Sequence, residues 1–465
     1  MWAHEVAEAC GGRLVGPDVS IDGASIDSRE LVDGSLFVPI IDTRDGHDFI
    51  EGALGRGAAA FLTSRPLDAI PAWSQVERLD AIAAVVVDDT AEALVALGRS
   101  ARDRLAAEPG FRAAVGITGS VGKTTTKDQL AAVLSTTFRT AASLRSFNNE
   151  LGVPLTLINA PSGTEVAVVE MGARGRGHIA SLCRIARPTI GVVTSVERMH
   201  TELFGTLAEA AAAKAELVET LPADGTAVLN ADRDLVAAMA DRTEARVLRF
   251  SATDRGRPPS GDGSPDIWAS GISVDAELYP TFTMHTPWGN TDARLAVRGA
   301  HNVGNALAAA GAALVAGVTI DNVAAGLGQA QVSAWRMDLR TSPTGARVLN
   351  DAYNAGPTSM AAALRALVSL DAARSIAVLG QMAELGVDGP EVHRSIADLA
   401  HELGVRVVAV GAPAYGPRAE HVADRDAALV LLHADGALGA DDAILVKGSR
   451  VAGLEQVAAA LLAET

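Results

Sequence analysis

An apolar run at residues 111–118 turns through glycines straight into a helical pattern at residues 122–135. The turn reads Gly-Ile-Thr-Gly-Ser-Val-Gly-Lys-Thr-Thr-Thr, from Gly116 to Thr126. A strand that enters a helix this abruptly is a βα unit of a parallel sheet with helices on its faces. Glycines also let backbone N–H groups close around phosphate oxygens, and the helix N-terminus adds partial positive charge. Gly116, Thr118, Gly119, Ser120, Val121, Gly122, Lys123, Thr124 and Thr125 would therefore line the phosphates of a bound nucleotide. Lys123 would reach the β- and γ-phosphates, and the Thr124 hydroxyl would ligate Mg²⁺. The spacing is not the strict phosphate-loop form, because Gly116 comes one residue early and Ile117 holds the first glycine position. The bland alternative is a glycine-rich turn that binds nothing. Nor does a phosphate loop alone choose among ATPases, switch GTPases and kinases.

The rest of the chain repeats the strand–helix theme. Residues 35–41 and 83–87 read as strands and 90–105 as a helix, before Pro109-Gly110 punctuates the chain. Short runs rich in Val and Ile at 165–171, 189–195, 226–229 and 246–250 alternate with helical stretches such as 207–221. That alternation predicts a parallel sheet covered on both faces. Residues 254–266 read as a mobile Gly/Pro/Ser/Asp loop. Antiparallel strands follow, joined by a hairpin turn at Pro287-Trp288-Gly289-Asn290, and then an Ala-rich helix at 302–316. Apolar strands at 347–350, 375–379, 405–410 and 443–446, with helices at 391–403 and 453–462, start a second α/β pattern of Rossmann type. At roughly 150 residues per domain, 465 residues suit three domains. We expect a smaller N-terminal α/β domain at 1–108, a central phosphate-loop ATPase domain at 109–330 and a C-terminal Rossmann-like domain at 331–465.

Composition narrows the partners. With 39 Lys and Arg against 56 Asp and Glu, the net charge is −17, which repels nucleic acid and anionic lipid at long range. A local basic pocket for phosphates is still allowed. The two cysteines, Cys10 and Cys183, have no ligand-like spacing, which argues against a disulfide framework or structural zinc. The most apolar run, 306–318, is broken by Gly311 and Gly317 and falls below the ~18 residues of a membrane span. The N-terminus lacks a basic segment followed by an apolar one. A cytoplasmic, monomeric protein is expected.

Among single residues, Glu170 closes the run at 165–171. A carboxylate at the carboxyl end of a central parallel strand faces the ligand crevice and suits Mg²⁺; the plainer reading is a helix-capping carboxylate. Asn302 and Asn305, at the start of the Ala-rich helix, can offer amides to adenine, and Asn302 can equally cap that helix. Taken alone, His200 is a loop histidine and Lys214 a solvated helix lysine.

The run from Thr118 to Lys127 resembles that of the ATP-dependent Mur ligases of peptidoglycan synthesis, and the likeness extends along the chain. It takes in Asp27-Ser28-Arg29, Asp45-Gly46-His47, Asn148-Asn149-Glu150-Leu151-Gly152-Val153-Pro154 and Glu170-Met171-Gly172. It continues through His200, Lys214, Gly299-Ala300-His301-Asn302, Asp351-Ala352-Tyr353-Asn354-Ala355 and Lys447-Gly448-Ser449-Arg450. The resemblance is greatest to the member that adds a dipeptide, D-alanyl-D-alanine, to a UDP-linked muramoyl tripeptide. It implies that ATP phosphorylates a peptide carboxylate and that the incoming amine displaces phosphate from the acyl phosphate. It implies two Mg²⁺ ions held by Thr124, Glu170, His200 and a carbamylated Lys214, with Lys123, Glu170, His200 and Lys214 as the catalytic set. Arg336 and Asp351 would lie near the γ-phosphate and ribose. Ser28, Arg29, Asp45 and His47 would hold the UDP-sugar end, and Asn148, Asn149, Tyr353 and Asn354 other parts of the substrates. For Asp27–Arg29 and Asp45–His47 the alternative is ordinary turn chemistry.

The sequence departs from the family at Gly356, where Asn-Ala-Asn-Pro is usual, at Gln381, where an acidic residue is common, and in the run from Pro39 to Arg44. These changes bear on the amino-substrate end. Two rivals remain at this point: a sibling ligase adding a single amino acid, and a nucleotide-dependent binding protein without ligase activity. Against the sibling stands the lack of an Asp-Asn-Pro-Arg motif of the diaminopimelate type.

Overall fold

The computed structural model describes residues 1–71, 73, 81–143, 146–197, 204–253, 264–434, 436 and 438–463. They form three sheets of five, nine and six strands, each rich in parallel pairs. The chain divides into two compact units. One comprises Met1–Gly116, Phe138–Gly172 and Ile179–Thr189; the other comprises Ile117–Thr137, Ala173–His178 and Ile190–Thr465.

In the first unit, strands run in the order Arg13–Val15, Ala83–Val86, Ala60–Thr63, Leu36–Phe37, Ala24–Ser25. Only the first pair is antiparallel. Phe37, Ile50, Phe61 and Ala84 pack on one face. The strand expected over 35–41 is only Leu36–Phe37. Pro39 brings no N–H to a ladder, and the Ile40 carbonyl is taken by Gly46 N–H at 2.9 Å. The edge strand Ala24–Ser25 is closed by a side chain, since Asn159 accepts from Ala24 N–H (2.7 Å) and donates to Ala24 O (2.9 Å). Asp89 caps the helix Thr90–Ala107 by accepting from the N–H groups of Ala91 and Glu92. Thr140–Ala142 pairs in parallel with Val166–Glu170.

In the second unit, Ile190–Val193, Thr226–Asn230 and Arg246–Ser251 pair in parallel. Ile267–Val274 then leads into the antiparallel strands Pro280–Thr286 and Gly289–Arg294, as the hairpin signal predicts. Residues 254–263 of the expected loop lie outside the described residues. The Ala-rich helix is Asn302–Ala316, and its alanines from Ala306 to Ala313 are buried. Small side chains let it lie close over the sheet: a Cβ on Gly311 would stand 3.1 Å from Val228. The apolar run at 306–318 is thus core, and among the described residues no helix is long and apolar enough to cross a membrane.

The last sheet runs Asp338–Thr341, Arg347–Asn350, Asp442–Lys447, Arg374–Leu379, Arg406–Val410, Glu420–Val422, antiparallel only at the first pair. Helices Pro357–Val368 and Gly389–Glu402 cover one face, with Leu349, Ala377, Leu379 and Leu445 beneath them. Arg425–Ala434 and Glu455–Ala463 cover the other, over Val348, Ile376, Val378 and Ile444. Alternate residues of each strand feed opposite layers, as a doubly covered sheet requires.

Candidate active site

The strand Ala113–Thr118 ends at the glycine loop, and the helix Lys123–Ser135 begins at its far side. Two glycines make the turn possible. Gly119 has φ +149° and Gly122 φ +89°, and a Cβ at Gly122 would stand 2.3 Å from Asn305 Oδ1. Neighbouring loops hold the turn in shape: Ser120 N–H donates to Ser195 O (2.8 Å) and Val121 N–H to Ser195 Oγ (2.9 Å). Thr194 Oγ1 donates to Val121 O (2.6 Å), and Ser120 Oγ accepts from Glu197 N–H (3.0 Å). Lys123 Nζ lies over the loop itself, donating to Gly119 O at 2.8 Å and Ser120 O at 3.3 Å. Thr124 and Thr125 are buried in the first turn of the helix. The result is a glycine turn at a helix N-terminus, with one ammonium over its carbonyls, a type of backbone that can receive a polyphosphate.

Asn302 and Asn305 form a relay beside that loop. Asn302 Nδ2 donates to Arg298 O (2.7 Å), Asn305 Nδ2 donates to Asn302 Oδ1 (2.7 Å), and Thr126 Oγ1 donates to Asn305 Oδ1 (3.4 Å). The capping alternative for Asn302 does not hold: His301 occupies the cap position, with no side-chain cap, and Asn302 is the first helical residue.

Lys214 lies mid-helix in Leu207–Glu219, buried, with Nζ 4.9 Å from the centre of the Phe204 ring. The plain reading of a solvated lysine is corrected. Desolvation, and then the charge of Lys123, bring its pKa down to about 7. His200 lies outside the described residues.

In the other compact unit, Glu170 ends the strand Val166–Glu170 and is 1 % exposed. Its Oε1 accepts from Asn148 Nδ2 at 2.9 Å, while Oε2 is buried with no hydrogen-bond partner among the described residues. A desolvated carboxylate oxygen left open in this way fits a hard cation. Asn149 acts differently: its Oδ1 accepts from the N–H groups of Leu151 and Gly152 and starts the helix Gly152–Ile158. Among the described residues no three His, Cys, Asp or Glu side chains gather as a metal-binding group. Thr124 and Lys214 are of other types, so a site that used them would not be of that kind.

The N-terminal candidates are held by turn chemistry. Ser28 is half-buried in a turn. Arg29 is exposed and paired in two places with Asp27, Nε to Oδ1 at 2.9 Å and Nη2 to Oδ2 at 2.7 Å. Asp45 caps a short 3₁₀ turn, Gly46–Phe49, and pairs with Arg65 at 2.5 Å. Both nitrogens of buried His47 are engaged: Nδ1 lies 2.6 Å from Asp45 Oδ1, and Nε2 accepts from Ser64 N–H at 3.1 Å. That pairing fixes the Nδ1–H tautomer.

A further cluster surrounds the end of the strand Asp442–Lys447. Buried Lys447 donates to Asp351 Oδ2 (2.5 Å) and Asn354 O (2.9 Å), and Asp351 Oδ1 accepts from Met337 N–H (3.1 Å). The Arg336 guanidinium stacks 4.0 Å above the Tyr353 ring, and its buried Nε has no partner among the described residues. Asn354 is exposed.

These parts belong to a family known from other sequences. The sequence model of the Mur ligase middle domain matches residues 117–313, and that of the Mur ligase glutamate ligase domain matches residues 335–450. A UDP-N-acetylmuramoyl-tripeptide–D-alanyl-D-alanine ligase of Mycobacterium tuberculosis is 40 % identical, over 99 % of this chain and 97 % of the relative. The chain belongs to the Mur ligase family. Its structure is similar to a crystal structure of MurF from Acinetobacter baumannii, with TM-score 0.84 and 28 % identity over 99 % and 98 % of the two chains. It is also similar to the MurF ligase of Thermotoga maritima in complex with ADP, with TM-score 0.75 and 26 % identity over 95 % and 97 % of the chains.

Sequence reasoning named the phosphate loop of this Mur ligase but missed what shapes it. Thr194 and Ser195 follow a strand of the same sheet pattern, and two adjacent hydroxyl residues there were the available signal. Lys447 was seen only as part of a motif; its burial beside a strand-end aspartate marks it as the organiser of the Asp351 loop.

Proposed function

We propose that this Mur ligase uses ATP to join D-alanyl-D-alanine to the terminal carboxylate of a UDP-N-acetylmuramoyl tripeptide, in the assembly of peptidoglycan precursors. The observation that carries the proposal is a phosphate-shaped loop within a chain alike from end to end to the dipeptide-adding member. The ADP complex of the Thermotoga relative supports nucleotide binding. In the first step the substrate carboxylate attacks the γ-phosphorus of ATP, giving an acyl phosphate and ADP. The dipeptide amine then adds to the acyl carbon, and the tetrahedral adduct loses phosphate to leave the amide.

The chain's residues divide that work. In the loop from Gly116 to Thr125, backbone N–H groups other than those of Ser120 and Val121, which Ser195 engages, would hold the phosphates, and Lys123 would offset charge on the transferred group. Asn302 and Asn305 take the adenine side, and Arg336 and Asp351 the γ-phosphate and ribose. Thr124, Glu170, His200 and a carbamylated Lys214 are the proposed Mg²⁺ ligands, two ions in all. Bound there, Mg²⁺ would neutralise crowded phosphate oxygens and polarise the phosphoryl group. Carbamylation needs a neutral amine, and a lysine held near pKa 7 supplies one at physiological pH. Ser28, Arg29, Asp45 and His47 form the UDP-sugar end, with His47 bracing its loop. Asn148 orients Glu170, while Asn149, Tyr353 and Asn354 border the substrates. The working division is 1–108 for the UDP end, 109–330 for ATP and metal, and 331–465 for the dipeptide and part of the nucleotide, in a cytoplasmic monomer.

Phosphate release tests the proposal. Rapid release is expected with UDP-tripeptide, ATP and D-alanyl-D-alanine, and none above background with single amino acids. Turnover only with diaminopimelate or lysine would make the chain a sibling ligase. ATP hydrolysis indifferent to every acceptor would favour a nucleotide switch.

A further inference from the structure

We propose that His393 and Tyr415 are positioning residues for the incoming dipeptide, acting through the loop 380–385 of the last sheet. The inference rests on the ligase reading and names the part of the C-terminal region that sets affinity for the amino substrate.

Topology marks the place. Strands Arg374–Leu379 and Asp442–Lys447 are parallel neighbours, yet the helices that follow them lie on opposite faces of the sheet. Open α/β sheets bind ligands in the crevice outside the carboxyl ends of such a pair. On one side of Lys447 stands Asp351, given above to the nucleotide; on the other stand the loops 380–388 and 448–450. The two loops approach closely, and a Cβ on Gly448 would stand 3.2 Å from Gly380 Cα. The first loop carries the exposed side chains of Gln381, Glu384 and Val387, and Val451 is exposed in the turn Arg450–Ala452 that ends the second. Mixed apolar and polar groups at a crevice suit a short peptide with methyl side chains and charged ends.

The base of this loop is held at successive residues. Gly380 N–H donates to Lys447 O (2.9 Å), and Tyr415 Oη donates to Gly380 O (2.9 Å). Ser449 N–H donates to Gln381 O (3.0 Å), and Ala383 N–H donates to Ser449 Oγ (2.8 Å). Met382 N–H donates to His393 Nε2 at 2.9 Å, while His393 Nδ1 faces Gly389 O at 2.6 Å. The Tyr415 ring meets the imidazole edge-on, with centroids 4.9 Å apart. Glu384 is held at φ +64°, a conformation non-glycine residues seldom adopt. His393 and Tyr415 come from other elements and hydrogen-bond the loop through its backbone, while Gln381 and Glu384 in the same loop are exposed. Loops built in this way present side chains at fixed angles.

Steady-state kinetics of the full chain decides the matter. Tyr415→Phe removes one hydroxyl and His393→Ala removes the acceptor of Met382 N–H. Each is expected to raise KM for D-alanyl-D-alanine about tenfold, the effect of one lost hydrogen bond. KM for ATP should stay within about twofold, since that side of Lys447 is untouched. His393→Gln, whose amide oxygen can accept from Met382, should recover most of the loss. If His393→Ala does not fold, Tyr415→Phe and His393→Gln carry the test. An unchanged dipeptide KM in Tyr415→Phe, or KM values for ATP and dipeptide rising together, would overturn the inference while leaving the ligase reading intact. A wild-type chain that does not use D-alanyl-D-alanine would overturn that reading, and this inference with it.

Discussion

Gly122 shows how one residue controls the shape of the proposed phosphate loop. A side chain there meets both a positive φ and the Asn305 amide, which Asn302 and Thr126 hold in place. Gly122→Ala should cost about 1 kcal/mol in backbone strain and displace Asn305 from the loop. We expect nucleotide affinity, read by isothermal titration, to fall more than about tenfold. Gly175→Ala, whose Cβ would meet open space, should change neither binding nor stability. Lys214 is testable without turnover. Its pKa is lowered by burial, so the unfolded chain binds more protons than the folded one between about pH 7 and the ordinary lysine value. In CO₂-free buffer, stability should therefore rise with pH across that window, and Lys214→Met should flatten the rise. The same variant is expected to abolish ADP formation. Legibility at this scale was uneven. Backbone conformation is written in Gly-Lys-Thr spacing, so the strand–turn–helix at 113–135 could be read. The burial of Lys214 could not, because it comes from elements distant in sequence; nor could the engagement of His47 with Ser64 or of Asn149 with its own helix.

At the scale of elements, hydrophobic periodicity carried most of the fold. The helices at 90–107 and 302–316 and the strand at 347–350 lie where apolar spacing puts them. Two-residue strands such as Ala24–Ser25 escaped notice, because their partners come from remote segments and so short a run has no period. The last sheet depends on one pair that sequence could not reveal. Asp442, 1 % exposed, accepts from Arg374 Nε (2.5 Å) and Nη2 (2.7 Å) and from Gly439 N–H (2.8 Å). Burial pushes its carboxyl pKa up, but the hydrogen bonds from Arg374 and Gly439 and the charge of Arg374 outweigh it, and the net shift is downward. Its contribution is thus present above the ordinary carboxylate range and is lost as pH falls through the lowered value. Asp442→Asn should destabilise the chain by about 2 kcal/mol at neutral pH. Denaturant titrations should show that the deficit shrinks on strong acidification.

For the whole molecule, net charge and the absence of metal-binding cysteine spacing argue against nucleic-acid and structural-zinc readings, and order along the chain carries the family. No single motif distinguishes a ligase from a switch; the succession from Asp27 to Arg450 does. Composition and periodicity do not assign substrate ends to loops, since that depends on contacts among segments hundreds of residues apart; the resemblance alone does. The most direct test of the ligase reading is the mass of the product formed from UDP-N-acetylmuramoyl tripeptide, ATP and D-alanyl-D-alanine. The expected species is the tripeptide nucleotide enlarged by one dipeptide less one water, appearing in step with ADP and phosphate. Unaltered tripeptide nucleotide beside accumulating ADP, or a product enlarged by one amino acid, would contradict it.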